Sequence, residues 1–159
     1  MQGRSGVLAG EYEWWSIHRS RRTEIFEGPK IVCPQRSGLN TFAYNEQSWY
    51  GSADVYYITA KNDNFDLKPI LSLLNSKLYY CWFYNRGKRK GEALELFQIP
   101  LSELPIPKLP VSVRKELSAL ASLAMEQAAV GRFDLLSEIE AKIDAVSYTH
   151  LTLPTILRV

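Results

Sequence analysis

The chain has few of the residue types that most often announce chemistry. Of its 159 residues, two are histidine (His18 and His150) and two are cysteine (Cys33 and Cys81). The cysteines stand far apart in apolar surroundings with no metal-ligand spacing. They read as two buried, reduced thiols, which excludes a zinc site or a disulfide framework. There is no HExxH and no glycine-rich phosphate loop. His18 lies between an apolar run and an arginine cluster, with no serine or cysteine nucleophile and supporting acid to serve it, so no catalytic residue is assigned. Glu46, Asp63 and Asp66 read as solvated loop carboxylates rather than nuclease ligands. No apolar run approaches the roughly 18 residues a membrane helix needs. The opening MQGRSGVLAGEYEWW lacks the apolar core of a secretory signal, so a cytoplasmic protein is expected.

What is present can build a core. Apolar residues make up 46% of the chain and aromatics 12%, enough to exclude global disorder. Most of the aromatics, from Trp14 to Tyr84, are expected inside. The length fits one domain with an appendage. Net charge is only +2, but it is unevenly placed: +3 over residues 1–110 and −1 beyond.

Periodicity gives an α+β reading. Tyr12 to Ile17 suggests a strand, and Arg19 to Phe26 a short helical turn ended by Gly28-Pro29. Lys30 to Cys33, Thr41 to Tyr44 and Asp54 to Thr59 read as strands, with a turn at Ser37-Gly38. Leu67, Ile70, Leu71, Leu74, Leu78, Cys81 and Trp82 recur at helical spacing and predict one long packed helix. Gly87 and Gly91 bracket a loop, and Ala93 to Phe97 a further strand. Pro100, Pro105, Pro107 and Pro110 exclude regular helix or a central strand and mark a boundary. Beyond it, Leu117, Leu120, Ala121, Ala124 and Ala128 share one helical face. Phe133, Leu136, Ile139, Ile143 and Val146 share another, and Gly131 joins the two as a helical hairpin over 111–146. Residues 147–159, SYTHLTLPTILRV, abandon that pattern.

The cations fall in clusters. Arg19, Arg21 and Arg22 form the first, and Lys30 and Arg36 follow. The densest is Arg86-Gly87-Lys88-Arg89-Lys90-Gly91, where four cations and two glycines suit contact with an anionic backbone. Arg36, just after a strand and a proline, is placed to enter a groove, and arginine is the commonest direct reader of guanine edges.

Taken together these segments resemble the TaqI-like C-terminal specificity domain, the target-recognition domain of adenine-specific DNA methyltransferases found in Type II and Type IIG restriction-modification enzymes. The resemblance rests on pieces in the family's order. They are Trp15-Ser16-Ile17-His18-Arg19, Pro29 to Pro34, Phe42-Ala43-Tyr44 and Tyr50 to Ile58. Leu73-Leu74-Asn75-Ser76-Lys77-Leu78, the basic glycine loop and Leu104-Pro105-Ile106-Pro107 complete the series. It implies a small mixed-sheet recognition domain over residues 1–110, then the helical hairpin. It implies double-stranded DNA as partner, with Arg19, Arg21, Arg22, Lys30, Lys77, Arg86, Lys88, Arg89 and Lys90 on phosphates. Arg36, Ser37 and His18 would read base edges. Lys77 has a second reading as a structural helix residue, because it lies in the family's helical signature.

Such enzymes carry an Asn-Pro-Pro-Tyr motif and an S-adenosylmethionine pocket in an upstream domain, and neither motif is present here. The chain is therefore expected to be a C-terminal fragment whose parent, not itself, binds the cofactor and flips the target adenine. The string from Ser147 resembles a translated sequencing-adapter tail, so residues 147–159 are expected to be non-native and unstructured, with no function for Tyr148 or His150. Two other readings stand beside this one. One is half of a Type I restriction specificity subunit, for which the hairpin is short. The other is a protein-docking module using the alanine-rich face of Ala119 to Ala129.

Overall fold

The computed structural model describes residues 8–10, 13, 21–62 and 64–156, with side chains described as far as residue 150. Of the strand expected at Tyr12 to Ile17 only Glu13 is described, in no regular element, and the rest lies outside the described residues. The turn expected before Phe26 is a single 3-10 turn, Thr23–Ile25.

The chain is α+β; among the described residues it has two three-stranded sheets and five longer helices. The first sheet has β1 (Lys30–Pro34) at its centre, flanked by β3 (Ala43–Asn45) and β4 (Val55–Thr59). Both pairings are antiparallel, with Ile31 opposite Tyr44 on one side and Ile58 on the other. Alternation sends Ile31 and Cys33 to the helical side, where both are buried. The opposite face carries Tyr57, and the aromatic rings of Phe26, Trp49 and Tyr50 gather around it. Phe26 meets Tyr57 edge-on at 5.2 Å between centroids.

The second sheet runs β2 (Arg36–Ser37), β6 (Ala93–Glu95), β5 (Lys88–Lys90), again antiparallel throughout. The expected mixed sheet is thus two antiparallel ones. The predicted basic loop is also corrected: Lys88–Lys90 is an edge strand of a tight hairpin. Gly91 takes φ +61° at the first position of the two-residue turn, the conformation a type II′ hairpin requires. Gly87 has a different task. A Cβ there would lie 2.6 Å from the Phe83 carbonyl oxygen, so only glycine lets the chain leave the helix at that angle.

The long helix predicted from Leu67 to Trp82 is two helices, α1 (Lys68–Asn75) and α2 (Lys77–Arg86). Ser76 breaks them with an extended backbone, and its hydroxyl caps α2 by accepting from the Tyr79 N–H. Periodicity misses this break because the apolar spacing continues across it. Two asparagines hold the junction. Asn75 exchanges two hydrogen bonds of 2.9 Å with the Phe42 backbone, and Asn40 donates to the carbonyls of Leu74 and Ser76 at 2.6 and 3.0 Å.

Pro100 lies inside a short helix, α3 (Gln98–Ser102), contrary to the expectation that the prolines exclude helix. It occupies the first turn, where its missing N–H has no helical partner in any case. The hairpin follows as α4 (Val111–Ala129) and α5 (Phe133–Ile156), with Gly131 at φ +71° between them. It shares one core with the rest: Leu117, Ala121, Ile139 and Ile143 are buried together with Leu71, Leu74 and Phe83. Ser72 donates to the Leu117 carbonyl at 2.8 Å, a bond inside the α1–α4 interface. The tail expected to be unstructured instead continues α5 to Ile156, and Ser147 is buried.

A candidate nucleic-acid interface

The second sheet gathers the basic residues. In an antiparallel ladder, residues directly opposite share a face. Arg36, Glu95 and Lys88 therefore form one cross-strand row, since Glu95 pairs with both of the others. Lys90 and Ala93 form the next row on the same side. The other face holds Ser37, Leu94 and Arg89, and there Leu94 seals the core at 1% exposure. Arg86 leads into the sheet as the last residue of α2. Arg86, Lys88, Arg89 and Lys90 are all exposed.

Two arginines here are held by aromatic rings. The Arg89 guanidinium lies 4.0 Å from the centroid of the half-exposed Tyr84 ring. That of Arg36 lies 5.7 Å from the Phe97 centroid, and its Nε donates to Glu95 Oε1 at 3.1 Å. Tyr84, Phe97 and Glu95 were absent from the sequence-based site. Tyr84 lies in the last turn of α2, Phe97 two residues beyond β6 and Glu95 on the middle strand of the sheet, so their roles depend on the register.

The remaining site residues separate by their partners. Lys30, expected on phosphate, is fully buried at the end of β1. Its ammonium donates to the carbonyls of Gly28 and Gln47 at 2.9 and 2.6 Å, and burial lowers its pKa from the ordinary lysine value. It serves in the fold as a structural cation, with its ammonium bonded to two backbone carbonyls. Lys77 pairs with Asp144 of α5 at 3.3 Å, which supports its structural reading. Arg21 donates to the backbone carbonyls of Val55 and Ala53 at 2.8 and 3.1 Å and lies over Tyr57, so it ties the segment before the sheet to β4. Arg22 is exposed beside an open cavity of about 260 Å³ that Phe65 and Pro29 help to line. Ser37 lies on the Leu94 face and shares a 3.0 Å hydrogen bond with Thr41. His18 and Arg19 lie outside the described residues.

Among the described residues, no group of three or more His, Cys, Asp or Glu forms a metal site. Asp66, read from the sequence as a solvated loop carboxylate, accepts from the Lys68 N–H at the start of α1 at 2.9 Å and from the Ser118 hydroxyl at 2.6 Å. Cys33 is buried as expected, whereas Cys81 is exposed on the outer side of α2. No helix among the described residues is long and apolar enough to cross a membrane.

Residues 10–106 match the TaqI-like C-terminal specificity domain, and the chain belongs to that family. Over 141 residues it is 24% identical to the Type II methyltransferase M.BstVI of Geobacillus stearothermophilus, covering 87% of this chain. The match spans 24% of that relative's own length.

Proposed function

We propose that this chain is the DNA-recognition part of an adenine-specific DNA methyltransferase in a restriction-modification system. It grips double-stranded DNA in the cytoplasm and presents the target adenine to a catalytic domain elsewhere in the parent polypeptide. The observation that carries the reading is the exposed basic sheet β2–β6–β5, within a domain of a specificity family. Arg86, Lys88, Arg89 and Lys90 hold phosphates and set the register, with Arg19 and Arg22 completing the grip from the N-terminal side. Arg36 reads a base edge in the major groove, with His18 as a second reader. The adenine is flipped into the partner domain's pocket. S-adenosylmethionine belongs to that partner domain.

The test is duplex binding measured against salt. The chain should bind random-sequence DNA at low salt and lose affinity steeply as salt rises. Changing Arg86, Lys88, Arg89 and Lys90 to alanine together should flatten the slope of log affinity against log salt by roughly 3 to 4. Absence of binding to any duplex at low salt would overturn the reading.

A further inference from the structure

The basic face contains one feature that phosphate grip does not explain. Glu95 stands in the middle strand, between Arg36 and Lys88, with its side chain only 13% exposed. A carboxylate there weakens the attraction of the sheet for a phosphate backbone. Its geometry shows what it does instead. It engages Arg36 through Nε alone, at 3.1 Å, while the Phe97 ring lies at the guanidinium. Among the described residues, no other hydrogen bond or ion pair engages the two terminal nitrogens of Arg36. The side chain stays 46% exposed. An arginine held by its Nε and by an aromatic ring has lost most of its rotamer freedom before any ligand arrives. What remains free is the end-on pair of N–H groups, the fork that matches the N7 and O6 acceptors of guanine.

No other described cation on this sheet is built this way. Lys88 and Lys90 are point charges without a fork. Arg89 lies over Tyr84 with no carboxylate bonded to it among the described residues.

We propose that Arg36 is a fixed guanine reader, that Glu95 and Phe97 are the residues that position it, and that the recognised DNA site therefore contains a G·C pair opposite β2. The inference rests on the DNA-recognition reading and narrows it to one base and three residues.

The experiment uses the full chain and a library of duplexes with a randomised centre, the bound fraction being sequenced at low salt. The preferred sites should share at least one G·C pair. Replacing the guanine with 7-deazaguanine, which removes the N7 acceptor, should weaken binding roughly 10- to 100-fold at one position. Arg36→Lys keeps the charge and removes the fork. It should lose both the preference and the 7-deazaguanine effect at that position, while the preferences at the other positions of the site are kept. Glu95→Gln should shrink that preference at the same position and leave the preferences at the other positions in place, because the charged partner that holds Arg36 Nε has been removed. Failure of the parent chain to bind any duplex would remove the DNA reading and this inference with it. DNA binding with no guanine preference would overturn the assignment of Arg36 alone, as would a preference unchanged in Arg36→Lys.

Discussion

Asp144, near the middle of α5, accepts the backbone N–H of Lys77 at 2.7 Å through one carboxylate oxygen and pairs with the Lys77 ammonium at 3.3 Å through the other. Lys77 is the first residue of α2, so the carboxylate sits against the positive end of that helix. This fastens the helical hairpin to the helix that leads into the basic sheet. Asp144→Ala should cost about 1–3 kcal/mol in chemical denaturation, since it strands a helix N–H as well as removing a charge. Lys77→Ala should cost less than about 1 kcal/mol, because the Lys77 side chain is 87% exposed and its ion pair is screened by water.

Lys30 and Lys88 look alike as lysines in a basic chain and should behave in opposite ways. Lys30→Met leaves the Gly28 and Gln47 carbonyls without their donor and should destabilise the fold by about 1–3 kcal/mol. In the folded protein it should leave the salt dependence of DNA binding unchanged. Lys88→Ala should leave stability within about 0.5 kcal/mol and reduce the salt slope by about 0.9. Denaturation curves and a salt titration of the two variants separate these outcomes.

Gly51 is required by the aromatic cluster on the outer face of the first sheet. Its N–H donates to the Tyr57 hydroxyl at 2.6 Å. A Cβ at this position would lie 2.5 Å from that hydroxyl and 2.9 Å from the Trp49 ring. Gly51→Ala should therefore destabilise by about 1–3 kcal/mol. Adding Tyr57→Phe removes the atom that clashes first, so the double variant should lose less than the two single losses added together. A double-mutant cycle in urea measures that difference.

Alkaline pH should weaken the fold from inside. Burial pushes the Cys33 thiol from 9.0 to about 12, and it pushes the Tyr79 hydroxyl from 10.0 to about 12. Both groups are neutral in the fold at pH values where the unfolded chain has released their protons. Their contribution is thus fully present below about pH 9 and is lost progressively as pH rises toward 12. Lys30 acts in the opposite sense, because its folded pKa is lowered and its contribution improves as pH approaches 10.5. Thermal unfolding across this range should show a net decline above pH 9, and Cys33→Ala should flatten the first part of it. In the native protein at pH 8 a thiol reagent should titrate Cys81 at once and Cys33 only on unfolding.

The sequence by itself determined most of the elements. The strands at Lys30, Ala43 and Val55 and the hairpin pivoting at Gly131 follow from local apolar spacing and from glycine and proline. The order of the motifs was enough to indicate the family. Tertiary structure decided which cations remain free to meet a ligand. Lys30, Lys77 and Arg21 are engaged by groups 17, 67 and 34 residues away, and Arg36 is oriented by a carboxylate 59 residues away. Side-chain periodicity describes only neighbours within a turn or a strand. Whether an ammonium or guanidinium faces a carbonyl, a carboxylate or water depends on which distant segment folds against it, and that is settled by register and by the break at Ser76.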